Sequence, residues 1–106
     1  MSRAWGLLLL AAGCAAPPSP DEEALFQYEE AGRLYAEGRY AEAASLYEKV
    51  VAVRDRVKDA WYRLSECRER LGDRAGAADA MVRLLRADGR DDEALRRLER
   101  LKGSEP

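Results

Sequence analysis

The sequence predicts an all-α fold, a short α-solenoid of two helix–turn–helix units closed by a C-terminal capping helix. Three observations predict this fold. Charged residues make up 36 % and hydrophobic residues 47 % of the 106 residues, and the dominant types, Ala, Leu, Arg and Glu, favour helices. Beyond residue 20 the apolar residues recur with helical spacing. Gly38 and Gly72 are separated by about 34 residues, a period that is typical of helical repeats.

The first residues predict an export signal. A short positive start that contains Arg3 precedes an apolar run at 4–12. As a helix this run would span roughly 13 Å, against a hydrocarbon core of about 30 Å, so it is too short to cross a membrane. Its length and its small residues are typical of a secretory signal peptide.

The stretch Ala11-Ala12-Gly13-Cys14 resembles the lipobox of bacterial lipoproteins. In that family the cysteine receives a diacylglyceryl group, the signal is cut before it, and the new amino terminus is acylated. The resemblance implies a signal peptide over 1–13 and a membrane anchor at Cys14. It also implies an outer-membrane location facing the periplasm, with inner-membrane anchoring as the alternative. An ordinary signal cut nearby, or an uncleaved apolar terminus, would also fit these residues.

A Pro-rich tether is predicted to follow the cysteine, over 14–20. The sequence Ser19-Pro20-Asp21-Glu22 then predicts a helix start, with Ser as the cap, Pro in the first turn and Glu three residues on. A helical domain is predicted over 21–102, and residues 103–106 are predicted to be a disordered tail.

The repeat spacing fixes the predicted helices. Ala43 and Ala77 follow the same spacing as the two glycines, as do Tyr47 and Met81. This predicts units at 24–57 and 58–91 and a half-unit from 92. The expected helices cover roughly 21–37, 40–54, 57–71, 74–87 and 91–102.

The period and its markers resemble the tetratricopeptide repeat, a helix–turn–helix unit of about 34 residues. In the second unit Trp61, Leu64 and Gly72 match the Trp, Leu and turn glycine of that pattern, and the first unit matches closely over 38–43. In the half-unit Leu95 and Leu98 take the Trp and Leu positions. The departures are Gln27 and Glu30 at the Trp and Leu positions, Arg68 at an aromatic position, and Asp55 and Gly89 in place of a proline.

Small residues and glycines explain how such units would stack. We expect Ala31, Ala43 and Ala77 to let neighbouring helices approach closely. We expect Gly38 and Gly72 to adopt the positive φ that ends one helix before the next begins. Because one helix pair cannot bury its apolar stripe alone, stacking supplies the core.

Composition argues against several function classes. The chain has no histidine, which removes the commonest general base and metal ligand. Its two cysteines match no zinc spacing, and the net charge of −2 with no basic stripe predicts no nucleic-acid partner. We therefore expect no enzyme activity, no cofactor and no metal. Cys67 fits a part-buried small hydrophobe better than a redox thiol.

The resemblance implies a binding surface. In tetratricopeptide arrays the first helices of the units line a concave groove that binds a protein or peptide. The predicted contact residues are Tyr28, Tyr35, Tyr62, Glu66, Glu69 and Arg96, with Leu25, Gly32, Asp59 and Arg100 on the same face. Alternatively, the tyrosines only pack against neighbouring helices.

The function predicted from these features is a lipid-anchored protein–protein interaction scaffold in the bacterial cell envelope. The alternative is a structural self-association unit, a homo-oligomer that stacks through its terminal helix and has no separate ligand. A third hypothesis is a redox protein that uses the thiol of Cys67.

Overall fold

The computed structural model describes residues 16–103, and in that range the chain forms five α-helices and no strands. The helices are α1 Pro20–Ala36, α2 Tyr40–Val53, α3 Lys58–Arg70, α4 Arg74–Ala87 and α5 Asp92–Gly103. Every predicted helix is present, and the observed ends differ from the predicted ones by at most one residue. The predicted all-α helical-repeat fold is confirmed. Gly103, which the sequence assigned to the tail, lies in α5.

The start of α1 follows the predicted capping signal. The Ser19 side chain accepts a hydrogen bond from the Glu22 backbone N–H at 3.2 Å, and Pro20 occupies the first turn. Three acidic residues in that turn face the positive end of the helix dipole. Local sequence therefore fixes where α1 begins.

Each helix packs against the next one along the chain, and α1 also contacts α3. The core between them is rich in alanine: Ala31, Ala43 and Ala77, which were predicted to permit close approach, have no exposed surface. Larger side chains fill the remaining space. Those with at most 1 % exposure are Tyr47, Leu64, Met81, Leu84 and Leu101.

Both predicted turn glycines adopt the left-handed conformation, with φ of 78° at Gly38 and 83° at Gly72. After each glycine the chain folds back on the helix end. The N–H of Arg39 donates to the Leu34 carbonyl at 2.9 Å, and the N–H of Asp73 donates to the Arg68 carbonyl at 2.8 Å. These bonds satisfy carbonyls that the ends of α1 and α3 would otherwise leave unpaired.

We expect Gly72→Ala to lower the free energy of unfolding by about 1–2 kcal/mol, because a side chain disfavours the left-handed backbone by that amount. A Cβ at position 72 would have no steric contact within 4 Å. The change in the free energy of unfolding therefore reports the backbone strain alone. Urea denaturation followed by circular dichroism gives the value. Gly103→Ala, which also meets no atom within 4 Å and has no positive φ, is the matched control. Equal midpoints for the two variants would contradict the prediction.

The departures from the repeat pattern in the first unit coincide with the end of the array. Glu30 and Arg33 are exposed, whereas the residues one repeat later, Leu64 and Cys67, are buried. In the described chain α1 has no helix before it, so this face meets solvent and carries polar residues. A polar outer face on a terminal repeat is what keeps a solenoid soluble.

Candidate functional site

The first helices of the repeats, α1, α3 and α5, share a face that contains a groove of about 190 Å³. We call it the tyrosine groove. Its lining residues are Tyr35, Asp59, Tyr62, Arg63, Glu66 and Arg97. All six come from first helices, the helices that were predicted to carry the contact face.

Tyr62 is held in the tyrosine groove by its neighbours on both sides. Its hydroxyl donates to the carboxylate of Asp91, which also accepts the Ala94 backbone N–H at 2.9 Å at the start of α5. The guanidinium of Arg97 lies 4.6 Å from the centre of the Tyr62 ring, within cation–π range. Burial, followed by the hydrogen bond to Asp91, raises the pKa of Tyr62. The ring is therefore fixed and the phenol is neutral near pH 7.

A second tyrosine, one repeat earlier, makes the equivalent link between α1 and α3. The Tyr28 hydroxyl donates to the Asp59 carboxylate, and this bond raises the pKa of Tyr28 to about 12. Arg63 pairs with Asp59 at 3.1 Å, and its guanidinium lies 5.0 Å from the centre of the Tyr35 ring. Tyrosine, carboxylate and arginine thus recur along the face and join successive units.

The structure brings three of the predicted contact residues, Tyr35, Tyr62 and Glu66, together in the groove. Tyr28 adjoins it through Asp59. All three tyrosines contact neighbouring side chains and keep part of their surface exposed, so their packing role is present alongside an accessible face.

Glu69 lies one helical turn beyond the groove residue Glu66 and is engaged in a bidentate ion pair. Arg100 donates to its two carboxylate oxygens at 2.7 and 3.0 Å, which ties α3 to α5. The hydrogen bond from Arg100 lowers the pKa of Glu69. Glu69 was predicted to contact a partner, and in this structure it joins two helices.

Arg96, the sixth predicted contact residue, is not in the groove. Its side chain is 67 % exposed and pairs with Glu93 at 2.8 Å. The groove position belongs to Arg97, one residue later. The repeat spacing explains this position, because Arg97 lies one repeat after Arg63. Each arginine stacks on a tyrosine of the preceding first helix, Arg63 on Tyr35 and Arg97 on Tyr62. Contact of Arg96 with a partner stays a prediction, and the Arg63–Arg97 spacing was the signal for the arginine that lines the groove.

Glu66 differs from the other charged residues of the groove. Asp59 pairs with Arg63, and Arg97 pairs with Glu93 at 3.0 Å. Glu66 is half-buried in α3 and makes no hydrogen bond or ion pair with any residue in 16–103. Among the described residues Glu66 is therefore the groove carboxylate that remains able to pair with a cationic group.

Cys67 lies behind the groove with no exposed surface. Burial raises the pKa of its thiol from 9.0 to about 11, so the reactive thiolate is disfavoured. These observations favour the small-hydrophobe interpretation over the redox thiol. Within residues 16–103 no group of His, Cys, Asp and Glu side chains is placed to hold a metal ion.

We expect the thiol of Cys67 to resist alkylation in the folded chain. At pH 8 the raised pKa lowers the thiolate fraction about a hundredfold, and burial slows access further. The full chain carrying Cys14→Ser leaves one thiol, whose labelling by iodoacetamide is timed with and without urea. Similar rates in the two conditions would contradict the burial and restore the redox hypothesis.

Cys14, the predicted lipidation site, and the predicted signal peptide lie outside the described residues. None of the helices in the described range has the length and apolar character needed to cross a membrane.

Comparison with known protein families gives one result. The family model for the tetratricopeptide repeat matches residues 34–101, from the end of α1 through α5. No curated protein matches the sequence.

Proposed function

We propose that this chain, which belongs to the tetratricopeptide repeat family, is a lipid-anchored scaffold that binds a partner protein in the bacterial cell envelope. Tetratricopeptide repeats generally mediate protein–protein interaction, and the family is typically non-enzymatic. The observation that carries the proposal is the tyrosine groove, which is lined by two fixed tyrosine rings and by Glu66, a carboxylate with no ion pair among residues 16–103.

The groove suits an extended segment of a partner. Tyr35 and Tyr62 are held by arginine stacking, so little conformational entropy is lost when a partner covers them. Rigid, amphipathic tyrosines are frequent anchors of interfaces. Glu66 would pair with a basic side chain or amine of the segment, and this pairing would fix its register.

The proposed anchor is Cys14. The lipobox-like residues before it and the Pro-rich tether after it would hold the repeat domain a short distance from a membrane surface. Several acyl chains on one residue give stable attachment, whereas one chain binds only marginally. We propose the outer membrane, facing the periplasm, with the inner membrane as the alternative.

Mass spectrometry of the N-terminal peptide from the membrane fraction of the native host tests the anchor. We expect a chain that begins at Cys14 and carries added acyl mass. A chain that retains Met1, or an unmodified Cys14 in a soluble fraction, would overturn the anchor and leave the groove proposal standing.

Affinity capture from solubilised native envelopes tests the groove. We expect a protein that copurifies with the wild type to be lost with Glu66→Lys and with Tyr62→Ala. Glu99→Lys is the matched control, because Glu99 is an exposed carboxylate in α5 outside the groove. Recovery of the same proteins with all variants would contradict a role for the groove.

The self-association alternative depends on the outer side of α5. Leu98 packs against the core, so an aspartate there would test folding and not association. Leu95 is the leucine available to a second copy, with 43 % of its surface exposed. Sedimentation velocity separates the alternatives: a concentration-dependent oligomer abolished by Leu95→Asp would favour self-association, and a monomer would favour the scaffold.

A further inference from the structure

The first half of α1 exposes two adjacent large hydrophobic residues. Phe26 is 68 % exposed and Leu25 is 59 % exposed, the highest values for large hydrophobic residues in the described chain. Neither lines the tyrosine groove. Single surface hydrophobics are common, whereas contiguous exposed apolar surface marks interaction sites.

The repeat spacing shows that Phe26 is unusual. The residues one and two repeats later are Ala60 and Ala94, both with no exposed surface. On the outer side of α1 the other equivalent positions have become polar, as with Glu30 and Arg33. Phe26 is instead larger and more apolar than its buried counterparts, so solubility does not explain it.

A shallow cavity of about 240 Å³ lies beside Leu25, between α1, the end of α2 and the residue before α3. Its apolar lining comprises Ala24, Leu25, Tyr28, Val50 and Val57. Leu25 thus forms one wall of the cavity and extends the apolar surface toward Phe26. The cavity can accept an apolar side chain from outside.

Asp21 and Arg54 also line the cavity and pair with each other at 3.1 Å, whereas two carboxylates of α1 beside this apolar surface have no such partner. Glu22 and Glu29 lie within one helical turn of both Leu25 and Phe26, so all four side chains share one side of α1. Both glutamates are exposed, and neither pairs with any residue in 16–103. We call these four residues the α1 patch. Its negative potential favours a cationic partner and repels anionic lipid.

We propose that the α1 patch binds a basic amphipathic segment of a partner protein, at a surface separate from the tyrosine groove. An apolar side chain of the segment enters the cavity beside Leu25, and another covers Phe26. Lysine or arginine side chains of the segment pair with Glu22 and Glu29. The α1 patch and the groove then give the scaffold two contacts, with Tyr28 between them.

Fluorescence anisotropy with a labelled synthetic helix of leucine and lysine tests the proposal on the full chain carrying Cys14→Ser. We expect Phe26→Ser and Glu29→Lys each to weaken binding by about tenfold or more. Leu71→Ser is the matched control, since Leu71 is 51 % exposed and distant in sequence. Glu99→Lys reverses an exposed charge outside both the α1 patch and the tyrosine groove, so we expect unchanged binding whether or not the groove proposal holds.

Three results would overturn the proposal. Equal weakening by Phe26→Ser and Leu71→Ser would mean that the helix binds without selecting the α1 patch. Equal binding of a peptide with glutamate in place of lysine would remove the charge argument. Without peptide, an oligomer or binding to phosphatidylglycerol vesicles that Phe26→Ser abolishes would assign the α1 patch to a second copy or to a membrane.

Discussion

Trp61→Ala is expected to lower the free energy of unfolding by about 3–5 kcal/mol, the usual loss for a buried tryptophan. Trp61 is 5 % exposed, and its indole N–H donates to the Asp55 carbonyl at 2.6 Å. This hydrogen bond holds the turn between α2 and α3, and the substitution removes it together with the ring. Because small domains are stable by only about 5–15 kcal/mol, most of the chain should unfold under mild denaturant.

The matched control for this prediction is Gln27→Ala. Gln27 occupies the repeat position of Trp61 in α1. It has no indole ring, and its side chain is partly exposed. We expect a change within about 0.5 kcal/mol, as for most surface substitutions. Urea denaturation monitored by circular dichroism measures both variants. Equal losses for Trp61→Ala and Gln27→Ala would contradict the deeper burial of Trp61.

Ala60→Phe is the second substitution with a large expected effect. Ala60 has no exposed surface, so a phenyl ring there must push neighbouring helices apart. We expect a loss of about 1–3 kcal/mol or more in the free energy of unfolding, as found for overpacked cores.

The reverse change, Phe26→Ala, is the control for Ala60→Phe. The same two residue types are exchanged at equivalent repeat positions, and Phe26 is 68 % exposed. We therefore expect a change within about 0.5 kcal/mol. A stable Ala60→Phe variant, measured by thermal unfolding, would contradict the close approach of helices at this position.

The sequence was enough to predict the fold because several local signals agree with one repeat spacing. Ser19 and Pro20 fix the start of α1, and Gly38 and Gly72 fix two turns through a backbone conformation that few other residues accept. The repeat spacing then transfers each assignment from one unit to the next. Family membership rests on the same spacing.

The candidate site was only partly predictable. Tyr35, Tyr62 and Glu66 line one groove, because helical periodicity decides which side chains share a face, and their contact with a partner stays a prediction. Contacts between units depend on how one helix is rotated against the next, and periodicity within one helix does not give this rotation. For this reason Arg96 was chosen instead of Arg97, and the Glu69–Arg100 pair was not foreseen.

The sequence pattern also did not predict which apolar residues are exposed at the ends of the array. Phe26 and Leu95 fit an apolar helical stripe as well as any core residue, yet both are exposed because α1 and α5 each lack a neighbouring helix on one side in the described chain. Lipidation of Cys14 stays a prediction, since that residue lies outside the described range.

The most direct test of partner binding is photo-cross-linking in the native host. A benzophenone amino acid is placed at position 66 in the tyrosine groove and, as control, at the exposed position 79 of α4. We predict one discrete cross-linked protein from position 66 that is absent from position 79. Cross-links of equal pattern from both positions, or none from position 66, would contradict a scaffold that binds through the groove.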